Sequence, residues 1–235
     1  MYRGSQFFDK FRLHFTKRRV VKLIKQNFHY RPILLLEIGP GSNPLYQDLT
    51  YLGCTSHIDS EPAWSKFENH LRFPPASFNF SYAIHVVEHF NPKHTSHYFK
   101  TIAHLLSCDG IFYAITPNIN SLPAKIFGKH WWFRLDSTHK QYFYPAKIAK
   151  MLHEAGFEHI KVKFPLMDSI SSDITSILGC LPHKKPILSY FLVKITCICA
   201  IPLVILARLL FPSLRPTMEV VAQKERFPYA DENFI

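Results

Sequence analysis

The fold of this chain is constrained most by residues 33–43, ILLLEIGPGSN. A run of aliphatic residues meets the acid Glu37, and the glycines Gly39 and Gly41 follow at once. A short apolar run bounded by glycines is typical of a buried parallel strand, and glycine lets the backbone turn sharply beside a ligand. A helix that begins just after Gly41 would offer free N–H groups to polar ligand atoms. The segment therefore predicts a nucleotide-type cofactor site at the carboxyl end of a strand.

The spacing of these glycines excludes two common nucleotide sites. A dinucleotide fingerprint needs another glycine three positions beyond Gly41, where Pro44 stands, and the Gly-Lys-Ser/Thr ending of a phosphate loop is absent from the sequence. The remaining pattern, Glu-x-Gly-x-Gly, resembles the first motif of the class I S-adenosylmethionine-dependent methyltransferases. Asn43 stands where that family usually has a third glycine. Asparagine tolerates left-handed backbone conformations better than most residues, so the departure is compatible with the motif.

Later segments follow the order of the same family's motifs. Their sequences are GCTSHID at 53–59, FPPASFNFSYAIHVVEHF at 73–90, LLSCDGIFYAITPN at 105–118 and STHKQYFYPAKIAKMLHEAGFEHIKV at 137–162. Together with the first motif they cover roughly residues 33–165, and a strand-like segment at 217–225 returns to the pattern. The chain therefore resembles this family, and within it the type 11 and type 23 methyltransferases.

The resemblance implies an α/β fold with a Rossmann-like, doubly wound sheet of seven strands, the last of them antiparallel. The methyltransferase domain would comprise residues 33–165 and 217–225. A hydrophobic helical insertion would occupy 166–216, before the final strand, and 226–235 would form a tail. The strands are expected near 33–38, 54–58, 68–72, 80–86, 111–116, 158–164 and 217–224.

The resemblance also implies roles for residues around S-adenosylmethionine, the expected cofactor. Gly39 and Gly41 would let the backbone approach the amino-acid part of the cofactor. Glu37 would orient both the glycine loop and the ammonium group of the cofactor. Asp59, at the tip of the second strand, would accept hydrogen bonds from the ribose. The other expected cofactor contacts are Asn43, Phe73 beside the adenine, Val87 and Glu88.

Two histidines are predicted at the catalytic centre. His89 follows the strand where the family's substrate meets the cofactor methyl group, and His139 opens the segment that leads to the last major helix. A hydroxyl acceptor needs a general base, and imidazole titrates near neutral pH. Either histidine could instead be structural, and Glu88 could cap the next helix. His130 is a third candidate, because the aromatic residues after it could line an acceptor pocket or enter lipid.

These residues predict a methyltransferase that acts on a small or lipid-linked acceptor, at a hydroxyl group. The alternative is a non-catalytic, membrane-tethered scaffold that keeps the fold. The five cysteines form no C-x-x-C pair, so no metal site is expected and a reducing compartment is favoured. Residues 1–28 are charged throughout and lack the apolar core of a signal peptide. We therefore expect a cytoplasmic protein.

Basic residues are concentrated at the start of the chain. Residues 1–31 carry nine Lys or Arg and one acid, a net charge of +8 out of the formal +11. Apolar residues recur at helical spacing, so a basic amphipathic helix is predicted over 1–32, either continuous or broken near Thr16. It could cap the sheet with its charges in solvent, or bind an anionic membrane surface. Nucleic acid is not expected, because no aromatic-basic motif of an RNA-binding module is present.

Residues 187–211 form the most apolar segment of the chain. They contain two charges, Lys194 and Arg208, in 25 positions, and about 20 residues suffice to span a bilayer. Pro202 interrupts the run, and basic residues flank it on both sides, which favours entry and exit at one membrane face. We expect in-plane or re-entrant membrane association. The alternative is a pair of buried helices that cover the sheet or mediate dimerisation.

Overall fold

A six-stranded sheet forms the centre of the molecule. The computed structural model of the 235-residue chain describes residues 6–28, 33–39, 45–58, 73–170, 176, 199 and 201–225. The strands are β1 (Ile33–Ile38), β2 (Gly53–Ile58), β3 (Phe78–Ile84), β4 (Leu106–Pro117), β5 (Phe157–Lys163) and β6 (Thr217–Lys224). The α-helices are α1 (Gln6–Phe28), α2 (Thr95–Leu105), α3 (Leu122–Phe127), α4 (Trp132–Leu135), α5 (Pro145–His153) and α6 (Ile201–Leu210).

The strand order is β2-β1-β3-β4-β6-β5. Neighbours from β2 to β4 are parallel, whereas β6 runs antiparallel to both β4 and β5. The Rossmann-like sheet with an antiparallel final strand is therefore confirmed, but the count of seven strands is not. The strand expected near 68–72 lies outside the described residues. β4 begins at Leu106, earlier than expected, because Leu106 pairs with Phe78 ahead of a register shift.

Apolar side chains alternate between the two faces of the sheet, as strand geometry requires. On one face, α1 packs against β1, β3 and β4 through a cluster that includes Val20, Ile24, Leu35, Phe80 and Ile115. On the other face, α2 and α5 cover a second cluster that includes Leu36, Phe99, Ile102, Phe112 and Leu152. Both faces of the sheet are thus covered by helices, and its carboxyl edge lies between the two layers.

The N-terminal helix serves the packing of the sheet. α1 runs without a break through Thr16, which is fully buried. Val20 and Ile24 are buried against the sheet, whereas Arg18 and Lys22 are exposed. The apolar stripe of this basic helix therefore faces protein, and part of its charge faces solvent.

One basic residue of α1 points inward. The Arg19 guanidinium lies 3.1 Å from Glu219 Oε2 on β6 and 3.9 Å from Asp168 Oδ1. Its Nε also donates to the Tyr113 hydroxyl on β4 at 3.3 Å. Burial and the neighbouring Glu219 carboxylate raise the pKa of Tyr113, so this hydroxyl stays protonated. A partly buried ion-pair network thus connects α1 to the middle of the sheet.

The segment that returns to β6 is described from α6 onward. Arg208 is buried, and its guanidinium donates to the backbone carbonyls of Leu166, Asp168 and Ser169 at 2.9–3.3 Å. Five large apolar residues of this stretch are more than half exposed, namely Leu203, Leu206, Leu209, Leu210 and Phe211. Residues 187–198 and 200 lie outside the described part of the chain. Among the described helices, none combines the length and apolarity that a bilayer crossing requires.

The packing of α1 predicts that Ile24→Ala lowers the free energy of unfolding by about 2–5 kcal/mol, because it leaves a cavity between helix and sheet. Lys22→Ala, at an exposed position of the same helix, should change that free energy by less than ~0.5 kcal/mol. Urea denaturation followed by circular dichroism measures both values. Equal stability of the two variants would contradict the packing described here.

Candidate active site

The turn after β1 has the geometry of a ligand-binding loop. Gly39 adopts a left-handed backbone conformation, with φ of 63°, which a side chain would strain. Glu37 is buried; its Oε1 accepts from the Leu45 backbone N–H at 3.1 Å, and its Oε2 accepts from the Tyr82 hydroxyl at 3.3 Å. The carboxylate therefore fixes the far end of the loop that Gly39 opens. These two residues fit a cofactor that approaches the backbone closely.

Two of the other expected cofactor contacts, Phe73 and Val87, are apolar residues of the described part of the chain. Gly41, Asn43 and Asp59 lie outside the described residues. Phe73 is partly buried and packs edge-to-face on Phe78, with ring centroids 5.0 Å apart. Val87 is fully buried within the hydrophobic core.

A buried carboxylate, that of Glu88, lies at the carboxyl edge of β3 and β4. It is fully buried; its Oε2 accepts from the Thr116 hydroxyl at 2.9 Å, and its Oε1 lies 3.3 Å from His85 Nδ1. Burial alone would raise the pKa of Glu88, but the hydrogen bond and charge of His85 bring it below its usual range. Glu88 is therefore ionised. It does not cap the next helix, because its oxygens bind Thr116 and His85.

His89 and His139 lie side by side next to this carboxylate. Their ring centroids are 4.7 Å apart. His89 Nδ1 lies 3.1 Å from the Thr138 carbonyl oxygen, and His139 Nδ1 lies 2.7 Å from that of Phe133. A carbonyl only accepts, so each Nδ1 carries the donated proton, and in the neutral tautomer the lone pair of such a ring lies on Nε2. Burial lowers the pKa of His139 despite the nearby Glu88 carboxylate, which favours this neutral form.

A tight turn brings His139 to this position, although it lies far from His89 in sequence. Asp136 Oδ1 accepts from both the backbone N–H and the hydroxyl of Thr138, at 2.9 and 2.6 Å. The backbone N–H groups of Lys140 and Gln141 donate to the Glu88 carbonyl at 3.0 and 3.2 Å. One carboxylate oxygen of Glu88 and one ring nitrogen each of His89 and His139 consequently lie within 4.8 Å of one another. The structure thus brings both predicted catalytic histidines together.

Two further residues of the site escaped the sequence analysis. His85 follows β3 directly and has a left-handed backbone, with φ of 55°, which is uncommon for a residue with a side chain. Its Nε2 lies 3.2 Å from Asp168 Oδ2, and its ring stacks on Phe133. The spacing of His85 and Glu88, three residues apart, could have indicated from the sequence that the two side chains meet. No such pattern could have indicated Asp168, because it comes from a distant segment, after β5.

The third histidine candidate, His130, is not part of the group formed by Glu88, His89 and His139. His130 ends a short 3-10 helix, Gly128–His130. Trp131, which follows it, is fully buried and packs on Phe133 and Tyr142, with ring centroids 5.1 and 6.2 Å away. Trp131 therefore belongs to a small core cluster and does not reach lipid.

Comparison with known proteins identifies the family. A family model described as "Methyltransferase domain" matches residues 12–162, more than half of the chain. This match confirms the resemblance that the sequence motifs indicated. No curated protein matches the sequence.

Solved structures share the fold at low sequence identity. A SAM-dependent methyltransferase from Archaeoglobus fulgidus is 18% identical, with a TM-score of 0.58, 95% of this chain covered and 100% of that one. Phosphoethanolamine N-methyltransferase 2 from Haemonchus contortus, in complex with S-adenosyl-L-methionine, is 13% identical, with a TM-score of 0.52 and coverages of 89% and 53%. The [4+2]-cyclase SpnF is also 13% identical, with a TM-score of 0.51 and coverages of 89% and 81%. These likenesses describe the fold.

The turn after β1 predicts that Gly39→Val abolishes binding of S-adenosylhomocysteine, because a branched side chain cannot adopt the left-handed backbone without strain. Gly156→Val is the matched control, since Gly156 also has a positive φ, 90°, but lies between α5 and β5, with open space where a Cβ would stand. Isothermal titration measures binding, and circular dichroism verifies folding. Binding by Gly39→Val with wild-type affinity would contradict the assignment of this loop.

Proposed function

The chain belongs to the methyltransferase-domain family and is an S-adenosylmethionine-dependent methyltransferase; we propose that it methylates a hydroxyl group of a small or lipid-linked acceptor. The single observation that carries this proposal is the cluster of Glu88, His89 and His139 at the carboxyl edge of β3 and β4. A hydroxyl oxygen must lose its proton when it accepts a methyl group, and imidazole nitrogens can assist that loss.

The cofactor is assigned to the carboxyl edge of β1. Glu37 orients the loop opened by Gly39, and the remaining contacts are those expected from the family's motifs, namely Gly41, Asn43, Asp59, Phe73, Val87 and Glu88. S-adenosylmethionine supplies an electrophilic methyl group on a positively charged sulfur. Holding the acceptor in line with that methyl group is the main task of the protein, because positioning alone can lower a barrier by ~7–11 kcal/mol.

His89 and His139 are assigned to the acceptor hydroxyl. With Nδ1 of each ring donating to a backbone carbonyl, Nε2 is the atom that can accept from the hydroxyl. The buried Glu88 carboxylate would stabilise the positive charge that an imidazole gains with the proton. Such assistance contributes about 10²–10⁴-fold to a rate.

A lipid-linked acceptor is supported by the surface next to the site. The exposed apolar residues of α6 recur every three to four positions, so they share one helix face. Buried Arg208 on the same helix donates to the backbone of Asp168, whose side chain contacts His85. α6 is thus connected to the histidine cluster through Arg208, Asp168 and His85. We place the protein at the inner face of the cytoplasmic membrane, where exposed basic residues of α1 would add electrostatic attraction.

The catalytic assignment predicts that His89→Ala and His139→Ala each lower turnover by at least ~10²-fold, with cofactor affinity little changed. His104→Ala, an exposed histidine on α2, should leave turnover unchanged. Transfer of radiolabelled methyl from S-adenosylmethionine to a panel of hydroxyl-bearing amphiphiles measures turnover, and mass spectrometry locates the methyl group. Wild-type turnover in both cluster variants would assign these histidines to structure. Cofactor binding with no transfer to any acceptor would favour the non-catalytic scaffold.

The membrane assignment predicts that Leu206→Glu and Leu209→Glu reduce binding to vesicles of anionic phospholipid, because each places a charge on the apolar face of α6. Leu34→Glu is the control, since Leu34 is also an exposed leucine but lies at the amino end of β1, away from α6. Co-sedimentation measures binding. High salt should release only part of the wild-type protein, because it screens charge and leaves apolar burial intact. Unaltered binding by both α6 variants would rule out this surface.

A further inference from the structure

We propose that Glu88, His89 and His139 together bind a divalent transition-metal ion, of which Zn²⁺ is the natural probe. Two imidazoles and one carboxylate are ligands that Zn²⁺ and its first-row neighbours prefer. One donor atom from each residue lies within 4.8 Å of the other two. Donors around tetrahedral Zn²⁺, with bonds of about 2.0–2.2 Å, lie closer together than this. The site therefore closes around the ion by a small inward movement of the side chains.

The hydrogen bonds of both imidazoles match those of metal ligands. A histidine that binds a metal through one nitrogen almost always donates the other N–H to a carbonyl, carboxylate or water. Here His89 Nδ1 meets the Thr138 carbonyl at 3.1 Å, and His139 Nδ1 meets the Phe133 carbonyl at 2.7 Å. The backbone thus holds both rings through Nδ1, which leaves Nε2 available to the ion.

The Glu88 carboxylate is also held in place by hydrogen bonds. Glu88 is fully buried, and its oxygens bind Thr116 and His85 at 2.9 and 3.3 Å. A buried negative charge is costly unless it is compensated, and a bound cation compensates it directly. Asp136 Oδ2 lies 3.7 Å from His139 Nε2, so it adds negative charge beside the ion. The cluster is therefore preorganised in its supporting hydrogen bonds and in its charge.

Three protein ligands with one open position are typical of catalytic zinc. In the reaction, the acceptor hydroxyl would bind the open position and lose its proton to water, because the ion lowers its pKa. The oxygen's electron pair would then form the bond to the methyl carbon while the carbon–sulfur bond breaks and its pair passes to sulfur. The ion would thus take over the task assigned to the Nε2 atoms. This role rests on the proposed function, whereas binding of the ion does not.

The proposal departs from the expectation of no metal site, which rested on cysteine spacing. The ligands here are not cysteines. They also come from two segments, the 3-10 helix after β3 and the turn that follows α4. No local spacing pattern joins them, and only the fold places them together.

The test uses the full chain, stripped with a chelator that is then removed, and titrated with Zn²⁺ by calorimetry without cofactor or acceptor. Wild type should bind one ion per chain. His89→Ala and His139→Ala should each weaken binding by more than the ~10–100-fold that loss of an outer-shell partner costs. Thr116→Val removes such a partner and should fall within that range, whereas His104→Ala should bind like wild type. Co²⁺ should give the visible absorption bands of a tetrahedral site, and both cluster variants should lose them.

Failure of the wild type to bind one Zn²⁺, or equal affinity in the two cluster variants and wild type, would overturn the metal site. Zinc binding that depends on both histidines would support the metal site. Absence of methyl transfer to any hydroxyl acceptor would contradict the proposed function and would leave the metal site standing. Conversely, hydroxyl methylation by a chain that binds no zinc and is indifferent to chelator would overturn the metal site and leave the proposed function standing.

Discussion

The ionised carboxylate of Glu88, buried at the carboxyl edge of the sheet, organises the site around it. Such a charge persists only where hydrogen bonds and positive neighbours offset its lost hydration. Thr116 from β4 and His85 from the end of β3 supply them, at 2.9 and 3.3 Å. The Glu88 backbone carbonyl also accepts from Lys140 and Gln141. The hydrogen bonds of Glu88 therefore connect the ends of β3 and β4 to the turn that carries His139.

The same polar network extends from the site to the N-terminal helix. His85 contacts both Glu88 and Asp168, and Asp168 lies 3.9 Å from the guanidinium of Arg19 on α1. Arg19 in turn meets Glu219 on β6. The helix that carries most of the chain's positive charge is therefore also part of the support behind the histidine cluster, because one of its basic residues is turned inward.

The fold by itself does not decide the reaction at this edge of the sheet. The structures that resemble this chain include methyltransferases and a [4+2]-cyclase at similar TM-scores, as expected when one fold hosts many activities. The methyltransferase assignment comes from the family match over residues 12–162. The acceptor must be argued from side chains at the site, and here these are one carboxylate and two imidazoles with oriented nitrogens.

The sequence by itself determined the strand and glycine turn at 33–39, the mixed sheet and the cofactor class. The strand and turn follow from local patterns, since apolar periodicity and glycine positions act over a few residues, whereas the sheet and the cofactor follow from the resemblance to the family's motifs. It also placed His89 and His139 as candidates, through motifs. Only the tertiary structure decided that these histidines share a site with Glu88, and that His85 reaches Asp168, 83 residues away. Such contacts depend on how distant segments pack, because burial and hydrogen-bond satisfaction are properties of the whole fold.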